Sequence, residues 1–188
     1  MAVPTTARSR FWIFIENVLY IGAAIGLALL IQAFVIRPFI VSGNSMDPNI
    51  KNGQYLIIDE VSYKLHAPNR GDVIVFKAPP EPSKYYIKRI IGLPGDTVTI
   101  DGSTVTITNT QHPNGLVLQE PFIEHTSKDM MTVKVPVDNY FVMGDNRSGS
   151  YDSRSWGMLP IKNIRGRALL RLLPISAINS LPAKVHYE

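Results

Sequence analysis

The chain has 188 residues, of which 45% are hydrophobic and 18% are charged. These values predict one folded domain with an anchor and exclude a disordered chain. The net charge is +4, and no long run of Lys or Arg indicates a nucleic-acid-binding surface. Because the chain has no Cys, disulfides, thiol nucleophiles and Cys-ligated metals are excluded.

A long apolar segment follows the polar residues 1–10. Residues 18–36 are interrupted only by Gln32, and with the apolar residues before them they are enough to span a bilayer. We therefore predict one transmembrane anchor over residues 11–37. A cleaved signal peptide is disfavoured, because the run ends in Phe34-Val35-Ile36-Arg37-Pro38 without an Ala-x-Ala-like site. A buried core helix is the weaker alternative, because the segment has no polar face.

The charges that flank this segment indicate its orientation. Arg8 and Arg10 precede it together with the amino terminus, whereas Arg37 and Lys51 follow it. Basic residues concentrate on the cytoplasmic side of a membrane. The slight excess before the segment predicts a cytoplasmic N-terminus, with residues 38–188 on the extracytoplasmic face of the cell membrane.

From Ile40 onward, short runs with a period of two are separated by Gly, Pro and Asn, which predicts a mostly β, antiparallel fold. In residues 97–107, Val and Ile alternate with Thr on both sides of Asp101-Gly102, which predicts a hairpin with one buried face. We expect residues 97–134 to form a smaller appended β lobe. Other predicted strands cover residues 55–58, 72–76, 85–91 and 133–137, and residues 167–173 fit either a helix or a strand.

Several familiar catalytic signatures are absent from the sequence. It has no G-x-S-x-G elbow and no His-Glu-x-x-His zinc motif. Asp145 and Asp152 are separated and are not predicted to act as an aspartic-protease pair. The histidines lie in polar or turn-like stretches and are assigned no role. We predict no metal and no cofactor.

Ser45 and Lys88 remain as a candidate nucleophile and base. A serine hydroxyl needs a base to remove its proton, and lysine can serve only in its neutral form. Apolar neighbours such as Tyr86 and Ile90 would lower the pKa of Lys88 by excluding water. From spacing alone, however, a turn serine and a surface lysine are the commoner interpretations.

Four blocks of sequence in fixed order identify a family. The chain resembles bacterial type I signal peptidases, membrane-anchored enzymes that cut signal peptides from exported proteins, over nearly all of its length after the anchor. The blocks are Ser42-Gly43-Asn44-Ser45-Met46-Asp47-Pro48, residues 70–76 (RGDVIVF), residues 86–96 (YIKRIIGLPGD) and residues 143–157 (MGDNRSGSYDSRSWG).

The resemblance implies a role for several residues. Ser45 would be the acylating nucleophile and Lys88 the general base. Ser150 would orient the lysine, and Asp152 and Arg154 would support the site through an ion pair that is also structural. Three further residues are expected to shape the same loop: Asp145, Asn146 and Arg147.

The sequence departs from other family members in two places. Gly43 lies where many relatives have a serine that donates to the oxyanion. The backbone N–H groups of Ser45 and Gly43 are therefore expected to serve instead. Asn49 replaces the threonine that commonly follows the proline, a mild change that leaves the chemistry intact.

The expected substrate is a preprotein signal peptide that ends in small side chains, cut after an Ala-x-Ala-like pattern. It would bind as a strand beside residues 85–88. Candidate pocket residues are Val41, Met46, Tyr86 and Ile87. Ser45 lies nine residues after Ile36, which predicts an active site close to the bilayer. Tethering would raise the effective concentration of substrates in the same membrane.

Three alternatives stay open at this point. A specialised peptidase of the same clan, for pilin or conjugation-linked maturation, would share these motifs. A self-cleaving repressor with a Ser-Lys pair is less favoured, because that class is soluble and carries a DNA-binding segment. A non-catalytic, membrane-anchored peptide-binding β-domain would not need a desolvated lysine.

Overall fold

The computed structural model describes residues 10–34, 36–124, 126–173 and 179–180. Two α-helices lie in these ranges, α1 (Arg10–Phe34) and α2 (Ser153–Trp156), with 3₁₀ turns at Ser62–Lys64 and Ile161–Asn163. The strands are β1 (Ile36–Ile40), β2 (Tyr55–Asp59), β3 (Val73–Ala78), β4 (Glu81–Gly92), β5 (Thr97–Asp101), β6 (Thr104–Thr108), β7 (Leu116–Val117), β8 (Met130–Lys134), β9 (Asn139–Met143), β10 (Leu159–Pro160), β11 (Ile164–Leu173) and β12 (Asn179–Ser180).

The chain divides into two compact units, the first ending at Ile36 and the second beginning at Arg37. Helix α1 belongs to the first unit and has 25 residues, which gives it a length of ~37 Å. By length and composition it can cross a membrane, and among the described residues none of its Arg10–Leu27 stretch is buried. An apolar helix without a covered face suits a lipid environment.

The second unit is built on a large antiparallel sheet. Its strands follow the order β1-β2-β11-β3-β4-β9-β10, and β12 pairs with β11. Side chains alternate between the two faces of each strand. Val73 and Val75 of β3 therefore pack with one apolar cluster, whereas Ile74 and Phe76 pack with another.

A smaller sheet follows the order β7-β6-β5-β8. The predicted hairpin is confirmed, with Val98 paired to Ile107 and Asp101 paired to Thr104. Its two-residue turn is Gly102-Ser103, one residue later than predicted, and Gly102 takes a φ of +58°. The apolar side chains of the hairpin are buried with residues of the larger sheet such as Ile91 and Phe141.

The other strand predictions have mixed outcomes. Residues 55–58, 72–76 and 85–91 lie essentially within β2, β3 and β4, which confirms them. The prediction for residues 133–137 was wrong in its bounds, because β8 ends at Lys134 and Pro136 has no N–H to donate. For residues 167–173 the helix alternative was wrong, since β11 pairs with both β2 and β3.

Candidate active site

Ser45 lies in a loop between β1 and β2 whose two ends are joined by backbone hydrogen bonds. Val41 N donates to Gln54 O at 2.9 Å, and Gly53 N donates to Val41 O at 2.9 Å. Met46 and Ile50 are buried in the core beneath this loop. The loop is therefore closed at its base and anchored from inside, which fixes the position of the Ser45 hydroxyl.

Lys88 lies in the long strand β4. Its cross-strand partner on one side is Ile74 of β3. On the other side, β9 pairs with β4 from Arg89 onward. Lys88 thus lies just beyond the end of β9 at Met143 and has no partner strand on that side among the described residues. Its strand neighbours Tyr86 and Ile90 pack in the same apolar cluster, as their alternation with Lys88 predicts.

The side chains of Lys88 and Ser45 meet. Lys88 Nζ lies 2.7 Å from Ser45 Oγ and 3.0 Å from Ile87 O. It also lies 5.5 Å from the centre of the Tyr86 ring. Only 4% of Lys88 is exposed to solvent. A serine hydroxyl and a buried amine at this distance can exchange a proton directly.

Burial lowers the pKa of Lys88 to about 8. The negative charges of Asp152 and Asp145 oppose this effect, because they favour the ammonium form, and the guanidinium of Arg154 assists it. Desolvation is the largest of these causes. A substantial fraction of Lys88 is therefore neutral at mildly alkaline pH, as a general base requires.

The loop of residues 144–152 is bonded to the Ser45 loop. Asn146 N donates to Ser45 O at 3.0 Å, and Asn146 Nδ2 donates to Asn44 O at 3.2 Å. Gly144 makes this approach possible, since a Cβ at this position would lie 2.3 Å from Ser45 O and 2.2 Å from Ser150 Oγ. The two loops are thus held together by contacts that a larger residue at position 144 would prevent.

Asp152 and Arg154 form the ion pair expected from the sequence. Arg154 Nη2 lies 2.7 Å from Asp152 Oδ2, and the Asp152 side chain is fully buried. The same carboxylate accepts from Gly144 N at 2.9 Å. Arg154 also bonds Asp129 Oδ2 at 2.7 Å. The pair therefore connects helix α2 to the loop beside Ser45 and to the region just before β8.

Ser150 is adjacent to the site, but it makes no hydrogen bond there. Its Oγ is buried and has no hydrogen-bond partner among the described residues. It lies next to Gly144, whose Cβ position is also close to Ser45 O. The predicted role of Ser150 in orienting Lys88 stays a prediction.

The Gly43 N–H, predicted to bind the oxyanion, is occupied in this structure. It donates to Asn52 Oδ1 at 3.0 Å. Gly43 has a φ of +98°, a backbone conformation that favours glycine. To stabilise the oxyanion, Gly43 N–H would have to exchange this hydrogen bond for one to the substrate. The oxyanion roles of Gly43 N–H and Ser45 N–H both stay predictions.

A cleft of about 620 Å³ adjoins the pair. Val41, Tyr86 and Ile87 line it, and their role in binding substrate stays a prediction. Met46 instead packs into the core with 1% of its surface exposed, because it faces inward from the loop. The cleft walls also include Phe39, Ser42, Asn44, Lys84, Tyr85 and Tyr151.

The sequence matches one family over most of its length. The family described as "Signal peptidase, peptidase S26" matches residues 14–173. The chain belongs to this family. The family is one of serine endopeptidases, and an apolar N-terminal helix fits a membrane-anchored member of it.

Similar proteins carry the corresponding name. The chain is 40% identical to a probable signal peptidase I-1 from Synechocystis sp., over 88% of this chain and 86% of that protein. It is 38% identical to a signal peptidase I from Leptolyngbya laminosa, over 88% and 83%, and 36% identical to one from Bacillus licheniformis, over 82% and 86%. A crystal structure of a signal peptidase I from Enterococcus faecalis is 32% identical, covers 54% of this chain and 97% of that chain, and gives a TM-score of 0.47.

The sequence analysis missed two charged residues near the site, Arg89 and Glu120. Arg89 forms an ion pair with Asp145 at 2.6 Å in which both side chains are fully buried. Glu120 pairs with Arg147 at 2.6 Å. The apolar residues that surround Arg89 in the strand were a possible signal for its burial. Within the described ranges, no group of three or more His, Asp or Glu side chains is placed to hold a metal ion.

Proposed function

We propose that this chain is a signal peptidase I that cleaves N-terminal signal peptides from exported preproteins after small residues. The observation that carries the proposal is the 2.7 Å contact between Lys88 Nζ and Ser45 Oγ. Lys88 is buried, and its pKa is lowered to about 8. Homologues named signal peptidase I align over most of the chain, which supports the assignment.

The proposed reaction has three steps. Ser45 Oγ attacks the scissile carbonyl carbon while Lys88 Nζ takes its proton. The protonated lysine then donates that proton to the leaving amine as the C–N bond breaks, which leaves an acyl-enzyme on Ser45. Water, activated by the neutral lysine, releases the acyl group.

Several neighbouring groups would stabilise these steps. The N–H groups of Ser45 and Gly43 are proposed to bind the oxyanion, with Asn52 releasing Gly43 when substrate arrives. Ser150 is proposed to bond the Lys88 ammonium once it forms. Asp152 and Arg154 would keep the loop in place through their buried ion pair.

The cleft suits an extended peptide. Two strands border it, with Phe39 and Ile40 from β1 and residues 84–88 from β4. In the described part of the chain, Tyr85 to Lys88 have a strand partner only on the β3 side. An added peptide strand would gain backbone hydrogen bonds there. Val41, Tyr86 and Ile87 would then contact its side chains and favour small ones.

We also propose how the chain is arranged at the membrane. Residues 1–10 would be cytoplasmic, residues 11–37 would span the cell membrane once, and residues 38–188 would form the extracytoplasmic catalytic domain, with residues 97–134 as its smaller lobe. The charges around the apolar segment support this orientation. The lipid bilayer would hold enzyme and signal peptide in one plane, which raises their effective concentration.

The test is cleavage of several unrelated preproteins by the full chain in detergent, with each product's new N-terminus read by mass spectrometry. We expect cleavage after small residues by wild type and none by Ser45→Ala or Lys88→Ala. Ser103→Ala and Lys134→Ala change exposed residues of the small sheet and should cleave normally. Full activity in Ser45→Ala would end the proposal, and cleavage of a single preprotein only would favour a specialised peptidase.

A further inference from the structure

A buried carboxylate behind the active site is bonded from two directions. Arg89 donates to both oxygens of Asp145, from Nε to Oδ1 at 2.8 Å and from Nη2 to Oδ2 at 2.6 Å. Asn49 Nδ2 donates to the same Asp145 Oδ2 at 2.9 Å. The three side chains form one cluster, in which a charge-assisted pair is extended by an amide donor.

The positions of these residues in the sequence link the cluster to both reacting side chains. Arg89 directly follows Lys88 on β4, and Asn49 lies four residues after Ser45 in the same loop. The backbone of that loop is bonded within itself between Met46 O and Ile50 N at 2.9 Å. Asp145 therefore connects the strand that carries the amine to the loop that carries the hydroxyl.

Two other segments converge on Asn49. Its Nδ2 also donates to Phe122 O at 3.3 Å, and the Phe122 ring lies 4.6 Å from the Arg89 guanidinium. Arg171 Nη1 donates to Asn49 O at 3.3 Å. Strand β11 and the segment between β7 and β8 thus both contact the loop at Asn49.

We propose that Asn49 is a positioning residue that sets the distance between Ser45 and Lys88 by joining the Ser45 loop to Asp145. This rests on the proposed function, since it concerns the same reacting pair. The amide suits the task because its NH₂ group has two donors. One reaches Asp145 and the other reaches Phe122 O. A threonine hydroxyl has one donor and cannot satisfy both acceptors.

The structure offers a matched control for this cluster. Asn109 Nδ2 donates to Asp96 Oδ1 at 2.7 Å, and Asp96 is paired with Arg70 at 2.8 Å. Asn109, Asp96 and Arg70 repeat the chemistry of Asn49, Asp145 and Arg89 at a place that does not adjoin Ser45 or the cleft. Removing Asn109 also costs two backbone hydrogen bonds that its Oδ1 accepts, so it tests the loss of at least as many bonds without the proposed positioning effect.

The experiment compares Asn49→Leu, Asn49→Thr and Asn109→Leu with wild type in the full chain. Steady-state cleavage of a preprotein gives kcat and KM, urea unfolding gives stability, and hydrogen exchange reports the mobility of residues 44–50.

We expect kcat of Asn49→Leu to fall by about ten- to hundredfold, the effect of one hydrogen bond to a charged group, with KM nearly unchanged. Its loop should exchange faster, and Asn49→Thr should be intermediate. Asn109→Leu should keep kcat within about twofold of wild type.

The outcomes separate this proposal from the proposed function. If wild type cleaves and Asn49→Leu matches Asn109→Leu in kcat, the positioning role is overturned while the function stands. If no preprotein is cleaved by wild type, the function fails, and loop exchange decides the positioning role without using activity. Should Asn49→Leu not fold, Asn49→Thr carries the test, and a kcat and loop exchange equal to those of wild type would overturn the proposal.

Discussion

Lys88 Nζ and Ser45 Oγ lie 2.7 Å apart although the two residues are separated by 43 positions in the sequence. The contact forms just beyond the end of β9, next to apolar side chains of β3 and β4. Because the amine is buried there, its ammonium form loses hydration and its pKa falls to about 8. One environment thus supplies both the geometry and the basicity that the proposed reaction needs.

The lowered pKa of Lys88 predicts a specific pH dependence of stability. In the unfolded chain the lysine has its ordinary pKa of 10.5, whereas in the folded chain its pKa is about 8. Between these two pH values the unfolded chain therefore keeps a proton that the folded chain has already released. The free energy of unfolding of wild type should therefore rise with pH over that window. Below pH 8 the folded chain carries the full cost of burying the charged ammonium group.

Comparison with Lys88→Met isolates this effect. The variant has no amine to desolvate, and we expect it to gain stability relative to wild type below pH 8. From the two pKa values that gain is roughly 3 kcal/mol, and it should shrink toward pH 10.5. Urea unfolding at several pH values measures the difference. A difference that is independent of pH would contradict the lowered pKa.

Ser150→Ala should separate activity from stability. In the folded chain Ser150 Oγ is buried without a partner among the described residues, so removing it should leave stability unchanged or raise it by about 1 kcal/mol. If the hydroxyl bonds the Lys88 ammonium during the reaction, kcat should fall by about ten- to hundredfold. Unfolding and cleavage assays give the two values, and an unchanged kcat would remove Ser150 from the proposed mechanism.

Arg154→Met should move the pH profile of cleavage. The positive charge of Arg154 lowers the pKa of Lys88, and Asp152 raises it. Without Arg154 the pKa of Lys88 should rise. The pH at which cleavage is half-maximal should therefore be higher than in wild type. The variant should also lose about 3–5 kcal/mol of stability, because Asp152 stays buried without its partner.

The control for this variant is Arg165→Met, which breaks the pair with Glu60, a pair in which 39% of the Arg165 side chain is exposed. A pair at the surface contributes at most about 1 kcal/mol, and this one does not adjoin the cleft. Its pH profile should match that of wild type. Equal profiles for Arg154→Met and Arg165→Met would contradict the electrostatic role of Arg154.

Gly144→Ala should reduce cleavage sharply. The new Cβ would lie 2.3 Å from Ser45 O, a backbone atom that cannot rotate away. The loop must shift, and the hydrogen bond from Asn146 N to Ser45 O should be lost. We expect kcat to fall by about a hundredfold, since small displacements of a reacting group have effects of this size.

Gly102→Ala provides the comparison for that substitution. A Cβ on Gly102 meets its nearest neighbour, Ser127 O, at 4.0 Å. The residue lies in the turn of the small sheet, so its replacement should affect stability modestly and leave kcat unchanged. Activity near the wild-type value in Gly144→Ala would show that the contact between the two loops does not matter for cleavage.

Much of the β structure could be predicted from local pattern. The alternation of Val and Ile with Thr in residues 97–107 fixes which face of the hairpin is buried, and burial of Val98, Ile100, Val105 and Ile107 agrees with it. The end of β8 was misplaced, because alternation continues past Lys134 although the strand pairing does not. Periodicity indicates a face, but it does not indicate where a neighbouring strand stops.

The site was less accessible from sequence. The absence of other catalytic signatures left Ser45 and Lys88 as candidates, and the resemblance favoured them as a pair. Their distance, however, depends on how the Ser45 loop packs against β4. Met46 was expected in a pocket and is in the core, since the direction of a loop side chain follows no simple period. Asn49 was interpreted as a mild replacement for threonine. Its bonds to Asp145 and Phe122 join segments far apart in sequence, so local sequence does not indicate them.

The most direct test of the central claim is the pH dependence of kcat/KM for preprotein cleavage by the full chain. We expect activity to rise with pH, to be half-maximal near the Lys88 pKa of about 8, and to be lost in Lys88→Ala. Activity that reaches half its maximum only near the ordinary lysine pKa of ~10.4, or that persists in Lys88→Ala, would contradict a neutral, buried Lys88 as the base for Ser45.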